Sequence, residues 1–134
     1  MEGIELRFHH LGVACRDLDQ EERGWLSLGY KRESDDFVDP IQQVRGRFLV
    51  GNGPRLELLA EYGPTSPIPK FLSKGIKIYH TAYEVEHFDR AIETMRSKRF
   101  KLMSDPARSV AFGGRRIAFL MQSTLNLVEI IEGA

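Results

Sequence analysis

Cysteine is nearly absent from this chain: Cys15 is the only one in 134 residues. One thiol excludes an intrachain disulfide and every zinc module built on several cysteines. Its position in an apolar run suits a small buried residue; a nucleophilic Cys15, with His10 close by in sequence, is the competing reading. An excess of charge is missing too, because 19 basic residues balance 19 acidic ones. Nucleic acid and membrane surfaces are therefore not expected as partners. No apolar run approaches the ~20 residues that span a bilayer. The start, Met1-Glu2-Gly3-Ile4-Glu5, lacks the basic and apolar regions of a signal peptide. The expectation is a cytoplasmic protein.

What is present is ordinary globular material, 42% hydrophobic and 28% charged, which predicts a packed core. The length suits a single domain, or two half-size units sharing a core. Residues 6–15 read as a strand. Asp17 follows as a helix N-cap with Gln20 three residues on, opening a helix to about Leu28 with Leu18, Trp25, Leu26 and Leu28 as core contacts and Gly29 as its stop. A short strand over 30–33, a polar loop over 34–39, and strands over 42–50 and 55–60 complete the first half, with a turn at Gly51-Asn52-Gly53-Pro54. Ser66 and Pro67 open a short connecting helix. The second half offers a strand over 76–86 and a helix over 87–98. Phe88, Ala91, Ile92 and Met95 lie on that helix at i, i+3, i+4 and i+7. Strands over 101–103, 115–121 and 125–131 follow a pattern already seen.

That pattern is a repeat. At an offset of 70 residues His10 meets His80, Leu18 meets Phe88, Asp19 meets Asp89 and Tyr30 meets Phe100. At 71, Arg47-Phe48-Leu49 meets Ala118-Phe119-Leu120, and at 72, Leu56-Glu57-Leu58-Leu59 meets Val128-Glu129-Ile130-Ile131. Each half reads β-α-β-β-β, giving an α+β domain with module 1 at about 5–62, a linker at 63–74 and module 2 at about 75–132.

Both halves place a histidine early in the first strand and a glutamate in the middle of the last. A single glutamate among Leu, Val and Ile is dismissible as a sheet-edge accident. Two at equivalent positions are not, because buried carboxylates need a partner. A divalent cation partners both at once. Alternation along strands supports this: His10, Gly12 and Ala14 share one face, as do His80, Ala82 and Glu84, so the histidine face is lined by small residues. Leu11, Val13 and Cys15, like Thr81, Tyr83 and Val85, face the helices. His9 points away from His10 and is taken as structural or surface-exposed, His87 belongs to a helix start, and Tyr79 and Tyr83 are taken as packing residues rather than catalytic groups, with a pocket wall the other reading for Tyr79.

Paired modules with this His/Glu/His/Glu order resemble the vicinal oxygen chelate superfamily, which includes glyoxalase I and methylmalonyl-CoA epimerase. The resemblance covers essentially the whole chain. It implies a cupped, mostly antiparallel sheet around a divalent metal held by His10, Glu57, His80 and Glu129, in a homodimer. Ser66-Pro67-Ile68-Pro69-Lys70-Phe71-Leu72, His80-Thr81-Ala82-Tyr83-Glu84-Val85 and Gly114-Arg115-Arg116-Ile117-Ala118-Phe119-Leu120 are similar to the epimerase branch. Two places differ. Val44-Arg45-Gly46-Arg47 lacks the extra carboxylate that epimerases carry on the third strand. Ser109-Val110-Ala111-Phe112-Gly113-Gly114 and Met121-Gln122-Ser123 replace their Gly-Ala-His-Gly loop and His-Pro-Lys turn.

Two imidazoles and two carboxylates suit Co, Ni, Mn, Fe or Zn without selecting among them. They leave open positions for a substrate with two neighbouring oxygens. The expected reaction passes through an enolate or enediolate, with Glu129 or Glu57 moving the proton. The substrate is an acyl-CoA thioester for an epimerase, the leading expectation, or a glutathione hemithioacetal for a glyoxalase I-like lactoylglutathione lyase. A ring-cleaving dioxygenase fits less well, since that branch offers two His and one Glu. A metal-free, resistance-type small-molecule-binding protein of the same fold is the remaining alternative. Arg45, Arg47, Arg115 and Arg116 are either anion contacts or solvated rim charges.

Overall fold

The computed structural model describes residues 3–133 as a mixed α+β protein that divides into two compact units. One runs from His10 to Tyr79; the other joins the residues up to His9 with those from His80 on. No helix among the described residues is long and apolar enough to cross a membrane.

The His10–Tyr79 unit contains most of β1 (Leu6–Ala14), then α1 (Leu18–Leu26), β2 (Lys31–Arg32), β3 (Phe37–Asp39), β4 (Val44–Gly51), β5 (Gly53–Glu61) and α2 (Ile68–Ser73). Its strands run β2-β4-β5-β1, with β3 also paired to β4. The β1–β5 pairing is parallel and the others antiparallel. Val13 of β1, Cys15 just beyond it, and Leu56, Leu58 and Ala60 of β5 face α1, forming a core with Leu18, Tyr30 and Leu49. This is the face that strand alternation assigns to them. Asp17 caps α1 by accepting from the Gln20 N–H at 2.9 Å. Gly29 adopts φ +91° just beyond the helix, a left-handed stop that glycine allows without strain. The helix ends two residues before Leu28, so Leu26 and Leu28 are exposed rather than core contacts. Ser66 Oγ accepts from the Ile68 N–H at 3.4 Å, at the start of α2.

The other unit repeats this order with β6 (Ile78–Val85), α3 (Phe88–Ser97), β7 (Lys101–Leu102), β8 (Ala107–Arg108), a 3₁₀ turn (Val110–Phe112), β9 (Arg116–Met121) and β10 (Leu127–Glu132). Its strands run β6-β10-β9-β7, with β8 also on β9, and β10–β6 is the parallel pair. Phe88, Ala91, Ile92 and Met95 are all buried, against Val85, Leu120, Val128 and Ile130. β3 and β8 add one short strand to each half where the sequence suggests only loop. Two or three residues carry no readable alternation, and their pairing with β4 and β9 makes them strands.

Arg47 on β4 is 4% exposed and reaches the start of α1. It donates to Asp19 Oδ1 at 2.9 Å, Glu22 Oε1 at 3.1 Å and Asp36 Oδ2 at 2.8 Å. The hydrogen bond from Arg47 holds the Asp19 carboxyl below its usual range, and bonds from Arg32 and then Arg47 do the same for Glu22. Carboxyls lowered in the folded state add stability above the unfolded-state value of about 4, and lose it as pH falls through their own values. Arg47→Met should therefore lower the melting temperature by roughly 4–8 °C at pH 7. The gap between variant and parent should close as the pH drops below about 4, which melting curves across that range will check.

Candidate metal centre

Each unit buries one histidine beside one glutamate. In the His10–Tyr79 unit, β5 lies between β1 and β4, and the alternation that sends Leu56 and Leu58 to the α1 core sends Glu57 to the other face. Glu57 is paired with Gly12 on β1 and with Phe48 on β4. His10, two residues before Gly12 and on the same face, brings Nε2 to 3.0 Å from Glu57 Oε1. In the other unit Glu129 is paired with Ala82 on β6 and with Phe119 on β9. His80, two residues before Ala82, brings Nε2 to 3.3 Å from Glu129 Oε1. His10, Glu57, His80 and Glu129 are exposed by only 0%, 4%, 3% and 2%.

Glycine and alanine stand opposite the two carboxylates, and the repeat therefore extends to the level of register. A nitrogen and an oxygen each about 2.1 Å from one ion, at a right angle to each other, lie about 3 Å apart. A direct hydrogen bond between imidazole and carboxylate has the same span. The spacing, the burial and the donor types thus suit a borderline divalent cation. Each of the four residues offers one ligand atom, an imidazole nitrogen or a carboxylate oxygen.

Phe48 and Phe119 were legible in sequence only as matching apolar residues, yet each packs its ring on a histidine. Phe48 meets His10 at 5.5 Å between centroids and 75° between planes; Phe119 meets His80 at 5.3 Å and 84°. The carboxylate missing near Gly46 has a steric reason. A Cβ at Gly46 would lie 2.5 Å from the Leu58 carbonyl oxygen and 2.8 Å from the Phe37 ring, so no side chain fits there.

The four arginines have protein partners. Arg47 is the buried tie to α1 described above rather than a rim charge, and Arg45 donates to the Glu61 carbonyl at 3.3 Å. Arg115 pairs with Glu84 at 2.7 Å and holds that carboxyl below its usual range. Arg116 joins Asp89 at 3.0 Å and Glu132 at 2.9 Å over the Phe88 ring. His9 packs against Phe112, His87 is the N-cap of α3, Tyr79 stacks on Phe71 and Tyr83 meets Phe8. Burial pushes the Cys15 thiol up to about 11, so it is not a thiolate at neutral pH.

Known proteins share this architecture. The mitochondrial methylmalonyl-CoA epimerase of Dictyostelium discoideum is 26% identical over 134 residues, covering 94% of this chain and 78% of that protein. The structure of Mycobacterium tuberculosis methylmalonyl-CoA epimerase is 27% identical, with a TM-score of 0.81 over 96% of this chain and 88% of the other. A variant of the Streptomyces coelicolor methylmalonyl-CoA epimerase, in complex with 2-nitronate-propionyl-CoA, is 28% identical, with a TM-score of 0.81 over 97% of this chain and 99% of the other. The model of the Glyoxalase/Bleomycin resistance protein/Dioxygenase superfamily matches residues 9–119, and the chain belongs to that superfamily.

Proposed function

We propose that the protein is a divalent-metal-dependent epimerase of an acyl-CoA thioester of the methylmalonyl-CoA kind, with His10, Glu57, His80 and Glu129 as ligands of one ion. The observation that carries this reading is the buried His–Glu pair repeated at the same register in both units. The metal half of the proposal draws support from the donor set, two imidazoles and two carboxylates held away from water. Relatives named as methylmalonyl-CoA epimerases, one of them in complex with an acyl-CoA analogue, support the substrate half.

A divalent ion supplies Lewis-acid polarisation of a substrate oxygen. The chain's own groups handle the proton. Epimerisation removes the hydrogen from the carbon next to the thioester carbonyl and returns one to the opposite face. Glu129 and Glu57 are the carboxylates proposed to carry it. With Gly46 unable to hold a side chain, the proton work in this reading rests on these two and not on a third-strand acid. A glyoxalase I-like isomerisation is the second reading, favoured by that missing acid, because moving a proton between adjacent carbons needs only one carboxylate.

Two measurements test the proposal. Protein purified without tag or chelator should carry about one divalent ion per chain. His80→Ala and Glu129→Gln should each weaken metal binding by at least about tenfold; metal far below one per chain, unchanged in both variants, would leave a metal-free binding protein. In D₂O the metal-loaded protein should introduce deuterium at C2 of methylmalonyl-CoA, and Glu129→Gln should slow this by roughly 10²–10⁴-fold. No exchange, together with consumption of the methylglyoxal–glutathione hemithioacetal, would move the assignment to the second reading.

A further inference from the structure

The ring contact on the histidine is repeated from one unit to the other. Phe48 stands across the β4–β5 ladder from Glu57, and Phe119 across the β9–β10 ladder from Glu129. In both units the phenyl ring meets the imidazole edge to face, at 75° and 84°. A core position that needed only apolar volume would accept leucine at either site, and β4 and β9 use leucine at the next position in both cases, Leu49 and Leu120. Edge-to-face contact depends on ring orientation, so it resists rotation of the imidazole about its own side-chain bond.

We infer that Phe48 and Phe119 are positioning residues for the metal centre, fixing the planes of His10 and His80 so that each Nε2 faces its glutamate before a cation arrives. This rests on the metal-binding reading above. A histidine whose ring is already oriented gives up little side-chain freedom on ligation, and that saving appears as metal affinity. The His10 side is braced further. Phe37 lies 5.9 Å from Phe48 at 33°, in space that exists because Gly46 has no Cβ. At the place 71 residues on from Gly46 the other unit has Ile117, which pairs with Ala107 rather than with an aromatic residue. Phe48 is 6% exposed while Phe119 is half-buried, which makes Phe119 the cleaner position to alter.

Co²⁺ binding by competition with a chelator, the visible Co²⁺ spectrum, and the melting temperature of the metal-free protein together test this. Phe48→Leu and Phe119→Leu should each lower Co²⁺ affinity by about 10–100-fold and alter the Co²⁺ bands. Phe119→Tyr, which keeps the ring, should stay within about twofold of the parent, with both Phe119 variants melting alike without metal. Should Phe48→Leu fail to fold, the Phe119 pair decides alone. Leucine variants that bind Co²⁺ like the parent, or a Phe119→Tyr variant as weak as Phe119→Leu, would overturn the inference. A parent protein that binds no Co²⁺ overturns the metal-centre reading itself, and is seen before any variant is made.

Discussion

A carboxylate buried in the middle of an apolar strand is the constraint from which the neighbouring choices follow. Glu57 sits between Leu56 and Leu58, and Glu129 between Val128 and Ile130, in strands flanked on both sides. Removing an ionised carboxylate from water is costly unless a partner of opposite charge or a strong donor is close. Each glutamate has met that demand in the same way. The strand on one side contributes a residue with little or no side chain, Gly12 or Ala82, and a histidine two positions earlier. The strand on the other side contributes a phenylalanine that closes over the histidine. The same four-residue solution appears twice in a chain whose halves otherwise differ at most positions.

The parallel pairing of first and last strands makes that solution available. Parallel neighbours need a crossover, and here each crossover consists of a helix and the antiparallel strands that follow it. The helix covers one face of the pair, so Leu56, Leu58 and Ala60, or Val128 and Ile130, are spent on packing. The other face is left to His10 with Glu57, or to His80 with Glu129. Each helix start is also tied back to its sheet by an arginine, Arg47 to Asp19 and Arg116 to Asp89. The two aspartates are repeat-equivalent at 70 residues, but the arginines come from non-equivalent positions. The tie is present in both units although its donor stands at a different position.

Much of this is legible in the amino-acid sequence alone. α3 announces itself through Phe88, Ala91, Ile92 and Met95, and Asp17 through its place before an amphipathic stretch. The His–Glu pairs emerge from comparing the chain with itself. What stayed hidden depends on residues far apart in sequence. β3 and β8 become strands only through β4 and β9. Arg47 looks like a rim charge because Asp19, Glu22 and Asp36, which surround its guanidinium, lie 28, 25 and 11 residues away. Leu26 and Leu28 look like core residues because composition does not say where α1 stops. Phe48 and Phe119 were aligned by the repeat, but a ring on a strand gives no sign that its contact is an imidazole rather than another apolar side chain.

The divergence between the halves bears on chemistry as much as their likeness does. Donor atoms, register and aromatic contact are duplicated, so the two His–Glu pairs have closely similar geometry. The neighbouring strand pairs are not alike: Phe37 pairs with Gly46 in one unit, where Ala107 pairs with Ile117 in the other. A pair of carboxylates serving only the stability of each sheet would have no need of matching register, and replacement by leucine would remove the cost of burying them. Two carboxylates at the same register, each opposite a residue with little or no side chain, are what favours the proposed metal centre over a purely structural role.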